Sequence, residues 1–193
     1  MTIQRADTKQ KILRAAYELF YRQGISRVSV DAIAARAGVT KRTVYYHFAS
    51  KDEIAGGVLD VQHLLLMQQF EGWVGGVSGG VTEILSALFD KLEAWSERPD
   101  WLGSGFSRIA AELADMPGHP ARQAAKRHKG AVEAWLAERL GDAGAMAPEQ
   151  LARQVMVLIE GAMGLALIHN DRGYITAAGH AARSVAQVNT PTG

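Results

Sequence analysis

VSVDAIAARAGVTKRTVYYHF, residues 28–48, predicts two short helices that meet at a glycine. Ser29 is placed to cap the first helix, and Thr40 to cap the second, which ends at His47 or one residue earlier. Gly38 lies between them and supplies the positive φ that a tight turn needs. This arrangement is typical of a helix-turn-helix, whose second helix enters the major groove of DNA.

The second of these helices mixes cations with aromatic residues, and helical geometry sorts them by face. With about 100° per residue, Val44 and Phe48 lie one turn apart and are expected to face the core. The other positions are expected to face outward or to lie at the boundary: Lys41, Arg42, Thr43, Tyr45, Tyr46 and His47. The alternatives are that a tyrosine packs on the following helix, or that the histidine is a buried core residue.

The outward set suits the surface of a nucleic acid. A tyrosine offers its hydroxyl to a phosphate oxygen and its ring to a sugar or a thymine methyl group. Arg42 can donate two hydrogen bonds to guanine, a pair worth about 1–3 kcal/mol of discrimination between bases. Lys51, at the start of the next helix, is expected to reach a phosphate with help from the positive N-terminus of that helix.

The positive charge of the chain is concentrated in the same region. Residues 1–51 contain ten Lys or Arg against three Asp or Glu, whereas the whole chain of 193 residues has a net charge of only +1. The remainder is therefore acidic. A basic first quarter on an acidic body is typical of a polyanion-binding domain joined to a separate module, although a solvated basic surface gives the same distribution.

Helical periodicity continues along the chain, and no segment alternates as a strand does. We therefore predict an all-α fold of about nine helices, the first three forming a small head. The predicted helices cover residues 8–22, 30–37, 41–47, 51–74, 82–97, 102–114, 121–140, 148–169 and 175–188. Ser50 is expected to cap the fourth helix while Glu53 accepts from the Ser50 amide, as in a capping box. The predicted domains are a helix-turn-helix domain, residues 1–50, and a ligand-binding and dimerisation domain, residues 51–193.

Three motifs of the head follow one another: LFYRQG at the end of the first helix, the helix-turn-helix, and SKDEI from Ser50 onward. Together they cover about a quarter of the chain and resemble the DNA-binding domain of the TetR family of bacterial transcriptional regulators. The resemblance implies contacts with DNA backbone or bases at Thr40, Lys41, Thr43, Tyr45, His47 and Lys51, and Ser29 matches the hydroxyl residue that opens the second helix. Arg42 and Tyr46 depart from the common pattern and are expected to set the operator preference.

The helix predicted over residues 148–169 contains GAMG at positions 161–164, where small residues permit another helix to approach closely. A glycine inside a helix costs about 0.5–1 kcal/mol, so close packing is a reason to keep it. We predict a dimer interface made by Val157, Leu158, Gly161, Gly164, Leu165 and Ile168, with burial inside one chain as the alternative. The family resemblance also implies that the last two helices form a four-helix bundle across a two-fold dimer, which reads a palindromic operator.

The body is rich in large apolar side chains of the kind that line ligand pockets. The family resemblance implies that a small molecule binds there, changes the separation of the two heads and releases the DNA, as expected of a repressor. The candidate lining residues are Phe70, Phe89, Trp95, Trp101 and Phe106, with Met67 and Met116 as further candidates; for each, a plain core position is the alternative. Because the body has no internal run of like charges, the ligand is expected to be apolar or aromatic.

Other functions find little support in the composition. The chain has no cysteine, and its six histidines form no His-Glu-x-x-His pair, so we expect no metal, no cofactor and no enzyme activity. The N-terminus lacks the apolar part of a secretory signal, and the most apolar segment, residues 155–168, is short and contains Glu160, so we expect a cytoplasmic protein. Two alternatives stay open: a helical small-molecule-binding protein or enzyme that does not read DNA, and a DNA binder without sequence preference.

Overall fold

A computed structural model describes residues 2–189 of the chain. This range folds into nine α-helices and contains no strand, so the all-α prediction is confirmed. In chain order the helices are α1 (Thr2–Gln23), α2 (Val30–Ala37), α3 (Lys41–His47), α4 (Lys51–Val74), α5 (Val81–Ser96), α6 (Gly105–Glu112), α7 (Pro120–Asp142), α8 (Pro148–His169) and α9 (Gly173–Val188).

Two helices differ from their predicted extent by more than two residues at one end. Helix α1 begins at Thr2 rather than at residue 8, and an ion pair of 3.1 Å joins Asp7, in the added part, to Lys11 one turn later. Helix α6 begins at Gly105 rather than at residue 102, because Gly103 has a φ of 75° and keeps the preceding segment out of the helix.

The start of α4 is capped differently from the prediction. The Ser50 hydroxyl accepts a hydrogen bond from the Glu53 N–H at 3.1 Å, as expected. The Glu53 carboxylate, however, accepts from the N–H of Ala49 at 2.6 Å and not from that of Ser50. Helix α3 has already ended at this point, so the Ala49 N–H has no helical carbonyl to bond and takes the carboxylate instead.

The first three helices pack around a compact apolar core. Helices α1 and α2 are in contact, as are α2 and α3. The side chains that fill this core are almost fully buried: Ile12, Ala16, Phe20, Ile33, Ala34, Val44 and Phe48. Val44 is 0% exposed and Phe48 is 3% exposed, so the prediction that these two residues anchor the recognition helix α3 is confirmed.

The chain divides into two compact units. The first contains Met1–Leu64 and Gly105–His128, and the second contains Leu65–Ser104 and Lys129–Gly193. The first unit therefore includes α6 and the beginning of α7 in addition to the head. The functional division at residue 50 stays a prediction.

In the second unit, α9 packs on both α5 and α8. Leu85, Leu136, Leu151 and Ile175 are among its most buried side chains. By length and composition alone the 22 residues of α8 would suffice to cross a membrane, unlike the shorter apolar segment considered in the sequence. Of the most apolar window of α8, 44% is buried inside the protein, and a single helix of this kind is weak evidence for a membrane span.

Candidate nucleic-acid interface

The turn between α2 and α3 fixes the direction of the recognition helix. Gly38 has a φ of 67°, in the left-handed region that was predicted for it. Its N–H bonds to the carbonyl of Ala35 at 3.2 Å, and the N–H of Val39 bonds to the carbonyl of Ala34 at 3.0 Å. These two bonds form a Schellman motif, which satisfies the last carbonyls of α2 and sets the path into α3.

The outward face of α3 carries a patch of exposed polar and aromatic residues. Tyr45 is 49% exposed and Tyr46 is 64% exposed, so neither packs into the core. The Tyr46 ring meets the half-buried His47 edge to face, with centroids 5.3 Å apart. Arg42 is exposed and has no hydrogen bond or ion pair within residues 2–189, so its guanidinium is available to a partner.

Two of the three hydroxyl groups predicted to meet DNA act as helix caps, and the third lies beside one of them. The Ser29 hydroxyl accepts from the Ala32 N–H at 3.1 Å, and the Thr40 hydroxyl accepts from the Thr43 N–H at 3.0 Å. The Thr40 and Thr43 hydroxyls are also 2.8 Å apart. A capping hydroxyl uses an oxygen lone pair and keeps its hydrogen, so Ser29 and one of the threonines can still donate to a phosphate oxygen.

The two lysines of the predicted interface are engaged within the chain. Lys41 forms an exposed ion pair with Asp31 at 2.8 Å, and the hydrogen bond and charge of Asp31 raise the pKa of Lys41 above its ordinary value. An exposed pair of this kind is weak because water screens both charges, so a phosphate can compete with Asp31 for the ammonium. Lys51 donates to the carbonyls of Ile25 at 3.0 Å and Val28 at 3.2 Å, which leaves one of its three N–H groups for a phosphate.

The loop between α1 and α2 is held by Glu112, at the end of α6. The Glu112 carboxylate accepts from the N–H groups of Ile25 at 3.0 Å and Ser26 at 2.7 Å, and from the Ser26 hydroxyl at 2.5 Å. Burial raises the pKa of Glu112, but the bonds from Ser26 and Ile25 and the charge of Lys51 outweigh burial, so that the pKa lies below its ordinary value. Lys51 binds carbonyls of this loop while Glu112 binds its N–H groups.

A second contact from α6 reaches the end of α1. The Arg108 guanidinium donates to the carbonyl of Tyr21 at 2.9 Å and lies 5.6 Å from the centroid of the Tyr21 ring. Gly24 closes α1 with a φ of 83°, and a Cβ there would lie 2.9 Å from the Glu112 carboxylate. Sequence reasoning missed these contacts of α6, because nothing in the local pattern marks Arg108 or Glu112 as partners of residues more than 80 positions away.

We expect the Glu112→Gln variant to unfold more easily than the parent at neutral pH, by about 1 kcal/mol after allowance for solvent screening. The pKa of Glu112 is lower in the folded than in the unfolded protein. Its contribution to the free energy of unfolding is therefore fully present above the unfolded-state pKa and is lost as the pH falls through the folded-state pKa. Denaturant unfolding should therefore show that the parent is more stable than the variant at neutral pH and that the two have equal stability in acid. Asp115→Asn, an exposed change of the same charge three residues later, is the control and should show no such difference.

Known proteins share both the head and the whole fold. A family model described as bacterial regulatory proteins, tetR family, matches residues 12–58. The transcriptional regulator SrpR of Pseudomonas putida is 47% identical over 53 residues, which are 28% of this chain and 25% of SrpR. A TetR-family transcriptional regulator from Streptomyces coelicolor has a TM-score of 0.85 at 25% identity, over 96% of this chain and 97% of that one. The chain is therefore similar to TetR-family regulators, in sequence over residues 12–58 and in fold over most of its length.

Sequence similarity to the curated relatives SrpR and TtgR covers less than a third of this chain. The regulator TtgR of Pseudomonas putida is 39% identical over 57 residues, or 30% of this chain. The chain matches about a quarter of the length of SrpR and TtgR, 25% and 27%. The fold extends further: NemR of E. coli, at 20% identity, has a TM-score of 0.83 over 92% of this chain and 96% of its own. The likeness in fold thus covers far more of the chain than the sequence matches to SrpR and TtgR do.

The predicted ligand-lining residues fall into three places. Phe70, Trp95 and Trp101 lie in the second unit, in one series of ring contacts. Phe89 lies where α5 crosses α9, and a Cβ at Gly179 would come within 3.0 Å of it. Phe106 belongs to the first unit and stacks on His128 with centroids 3.8 Å apart. Of the further candidates, Met67 packs on the core of the second unit and Met116 is exposed in the first.

The predicted dimer residues form a stripe along α8, on the side away from its buried residues. Val157 is 69% exposed, Leu165 41% and Ile168 75%, whereas Leu158 is half-buried against the core of its own unit. Gly161 and Gly164 are exposed, and a Cβ at either position would meet no atom within 4 Å. Packing within residues 2–189 therefore gives no reason for these glycines.

A polar cleft of about 290 Å³ lies in the first unit, and none of the predicted ligand residues lines it. Its charged groups already have partners: Asp60 pairs with Arg127 at 2.8 Å, Glu53 holds the Ala49 N–H, and Lys9 lies over the Phe48 ring. In the described part of the chain, no group of three or more His, Cys, Asp or Glu side chains is arranged to hold a metal ion.

Proposed function

We propose that this protein is a cytoplasmic transcriptional regulator that binds a palindromic DNA operator as a dimer and is released from it by a small molecule, acting as a repressor. The exposed face of α3 carries this proposal. It presents Arg42 without a partner beside two exposed tyrosines, on a helix whose other face is anchored by Val44 and Phe48. The match of residues 12–58 to the tetR family model, and the likeness of the fold to a TetR-family regulator, support DNA binding as the use of that face.

A dimer is proposed because one head alone touches few phosphates. Contacts with phosphates supply most of the electrostatic affinity, and each one adds roughly one unit to the slope of log affinity against log salt concentration. A monomer that makes few such contacts would therefore bind poorly at cellular salt. The apolar stripe of α8 is a surface that a second copy of the chain can cover, and its two glycines leave room for a helix at close range. Two heads related by a two-fold axis read two half-sites of a palindrome.

Selection of bound duplexes from a random pool tests the proposal. Purified protein at about 150 mM salt is expected to enrich one palindrome, to bind it with two protomers, and to lose affinity steeply as salt is raised. Enrichment of no sequence, together with salt-dependent binding to any duplex, would favour the DNA binder without sequence preference. The selected duplex then serves to screen a metabolite panel for release.

Substitutions on α3 should separate base reading from backbone contact. We expect Arg42→Ala to relax the preference at one base-pair position of each half-site, at a loss of about 1–3 kcal/mol in discrimination. Tyr45→Phe removes only a hydroxyl and should weaken binding to every sequence similarly. Repeating the duplex selection with each variant measures both effects, and an equal loss on all sequences for Arg42→Ala would refute its role in base reading.

A helical protein that binds a small molecule without reading DNA is the second candidate. The series of ring contacts in the second unit supports this candidate, because an aromatic surface of this kind can bind a ligand whether or not the head binds DNA. The two candidates differ in the duplex selection, since only the regulator recovers a defined operator.

A further inference from the structure

All four tryptophans of the chain lie in one continuous series of ring contacts in the second unit. The series runs from Trp135 to Phe70, Trp73, Trp95 and Trp101, with centroid separations between 5.4 and 6.4 Å. All but Trp101 are only partly buried, and they pack against the core of the unit. A core alone would bury these rings; here they leave aromatic surface at its edge, suited to a flat apolar molecule.

The indole N–H of Trp101, the last ring of the series, lacks a hydrogen-bond acceptor among the described residues. Trp101 is 6% exposed, and its indole N–H is buried with no hydrogen-bond partner among residues 2–189. An unsatisfied buried donor costs about 1–3 kcal/mol, so such groups in native proteins call for an explanation. The indole N–H of Trp135, in contrast, donates to the Glu71 carboxylate at 2.9 Å. An indole N–H donates only, so the group missing at Trp101 is an acceptor.

Neighbouring groups leave Trp101 little freedom to find that acceptor by moving. The Arg172 guanidinium covers one face of its ring at 4.4 Å from the centroid, and Trp95 meets the ring edge to face. Arg172 is itself fixed by bonds to the carbonyls of Ser96 at 2.9 Å and Ala166 at 3.3 Å. The other buried polar atom without a partner in the described chain, Gln154 Oε1, is less informative, because an amide presents a donor or an acceptor after a half-turn.

We propose that the effector is a flat aromatic molecule with a hydrogen-bond-accepting oxygen, which stacks along the tryptophan series and accepts from the Trp101 N–H. This inference rests on the proposed function, since it names the chemical class of the molecule that binds the body. The aromatic surface selects a planar ring, and the buried donor selects the oxygen. An analogue without that oxygen leaves the indole N–H unpaired and binds more weakly.

Two naphthalenes of similar shape test the inference on the full-length protein. 2-Acetylnaphthalene has a carbonyl oxygen, and 2-isopropylnaphthalene has a methyl group in its place. Binding is followed by quenching of tryptophan fluorescence and by calorimetry. The parent protein is expected to bind the ketone about tenfold or more tightly than the hydrocarbon. Trp101→Phe keeps a ring under Arg172 but removes the donor, so it should reduce that ratio to near one, with the affinity for the hydrocarbon unchanged.

Trp95→Phe is the matched control, because it alters the same series without touching the orphaned donor. It should leave the preference for the ketone in place. A parent protein that binds the two naphthalenes equally, or binds neither, overturns the inference, as does a preference that survives in Trp101→Phe. The duplex selection is independent of these measurements. If the protein binds an operator but shows no preference for the ketone, the proposed function is supported and the inference is wrong. If the preference for the ketone is present and is lost in Trp101→Phe, the inference is supported whether or not an operator is found.

Discussion

The Gly161→Glu variant is expected to fold as the parent does but to remain monomeric and to lose operator binding. A side chain at position 161 meets nothing within 4 Å in the protomer, and glutamate is the better helix former by about 0.5 kcal/mol. In the proposed dimer the same carboxylate would be buried without a partner, at a cost of about 3–5 kcal/mol. Each buried carboxylate should therefore raise the dimer dissociation constant by roughly two to four orders of magnitude, about tenfold for each 1.4 kcal/mol.

Sedimentation and duplex binding measure the two consequences of Gly161→Glu. The matched control is Gly130→Glu on α7, another exposed helical glycine where a Cβ would meet nothing within 4 Å. It introduces the same charge outside the α8 stripe and should leave the assembly and the DNA affinity unchanged. A dimer that persists in Gly161→Glu, with full operator binding, would show that the partner lies elsewhere.

Phe48→Ala is expected to destabilise the head by about 3–5 kcal/mol, the usual cost of removing a buried phenylalanine. Its ring is 3% exposed, and Lys9 lies over it at 5.3 Å. A loss of this size is a large part of the stability of a typical domain, so DNA binding should fail as well. Denaturant unfolding gives the magnitude, and hydrogen exchange should place the loss in the head.

Tyr46→Ala is the contrasting change on the opposite face of the same helix. Tyr46 is 64% exposed, so its removal should change the free energy of unfolding by less than about 0.5 kcal/mol. Its effect should appear in DNA binding instead. Similar losses of stability in Phe48→Ala and Tyr46→Ala would contradict the assignment of one face to the core and the other to the partner.

The head could be predicted from the sequence because its signals are local. Ser29 and Thr40 cap helices within three residues of themselves, and Gly38 lies in a turn that only its neighbours define. The inward positions of Val44 and Phe48 follow from one helical period. The exposed stripe of α8 is also periodic, which is why its residues could be named, although their role as an interface stays a proposal.

Contacts between distant segments could not be predicted in this way. Glu112 and Ile25 are separated by 87 positions, and a single glutamate at the end of a short helix gives no sign of its partner. The sequence suggested Lys51 for a phosphate, whereas the fold gives two of its hydrogen bonds to loop carbonyls. Phe106 resembles the other aromatic candidates in sequence, and only the packing places it against His128.

The most direct measurement is the affinity of the purified protein for its selected palindrome and for a shuffled duplex of the same composition, across a range of salt concentrations. A specific regulator should prefer the palindrome by a factor of at least about 10³ at physiological salt, with two protomers bound per site. Affinity for both duplexes should fall steeply with salt, as expected for contacts with several phosphates in each half-site. Equal affinity for the two duplexes at every salt concentration, or no binding to either, would mean that this protein does not read an operator.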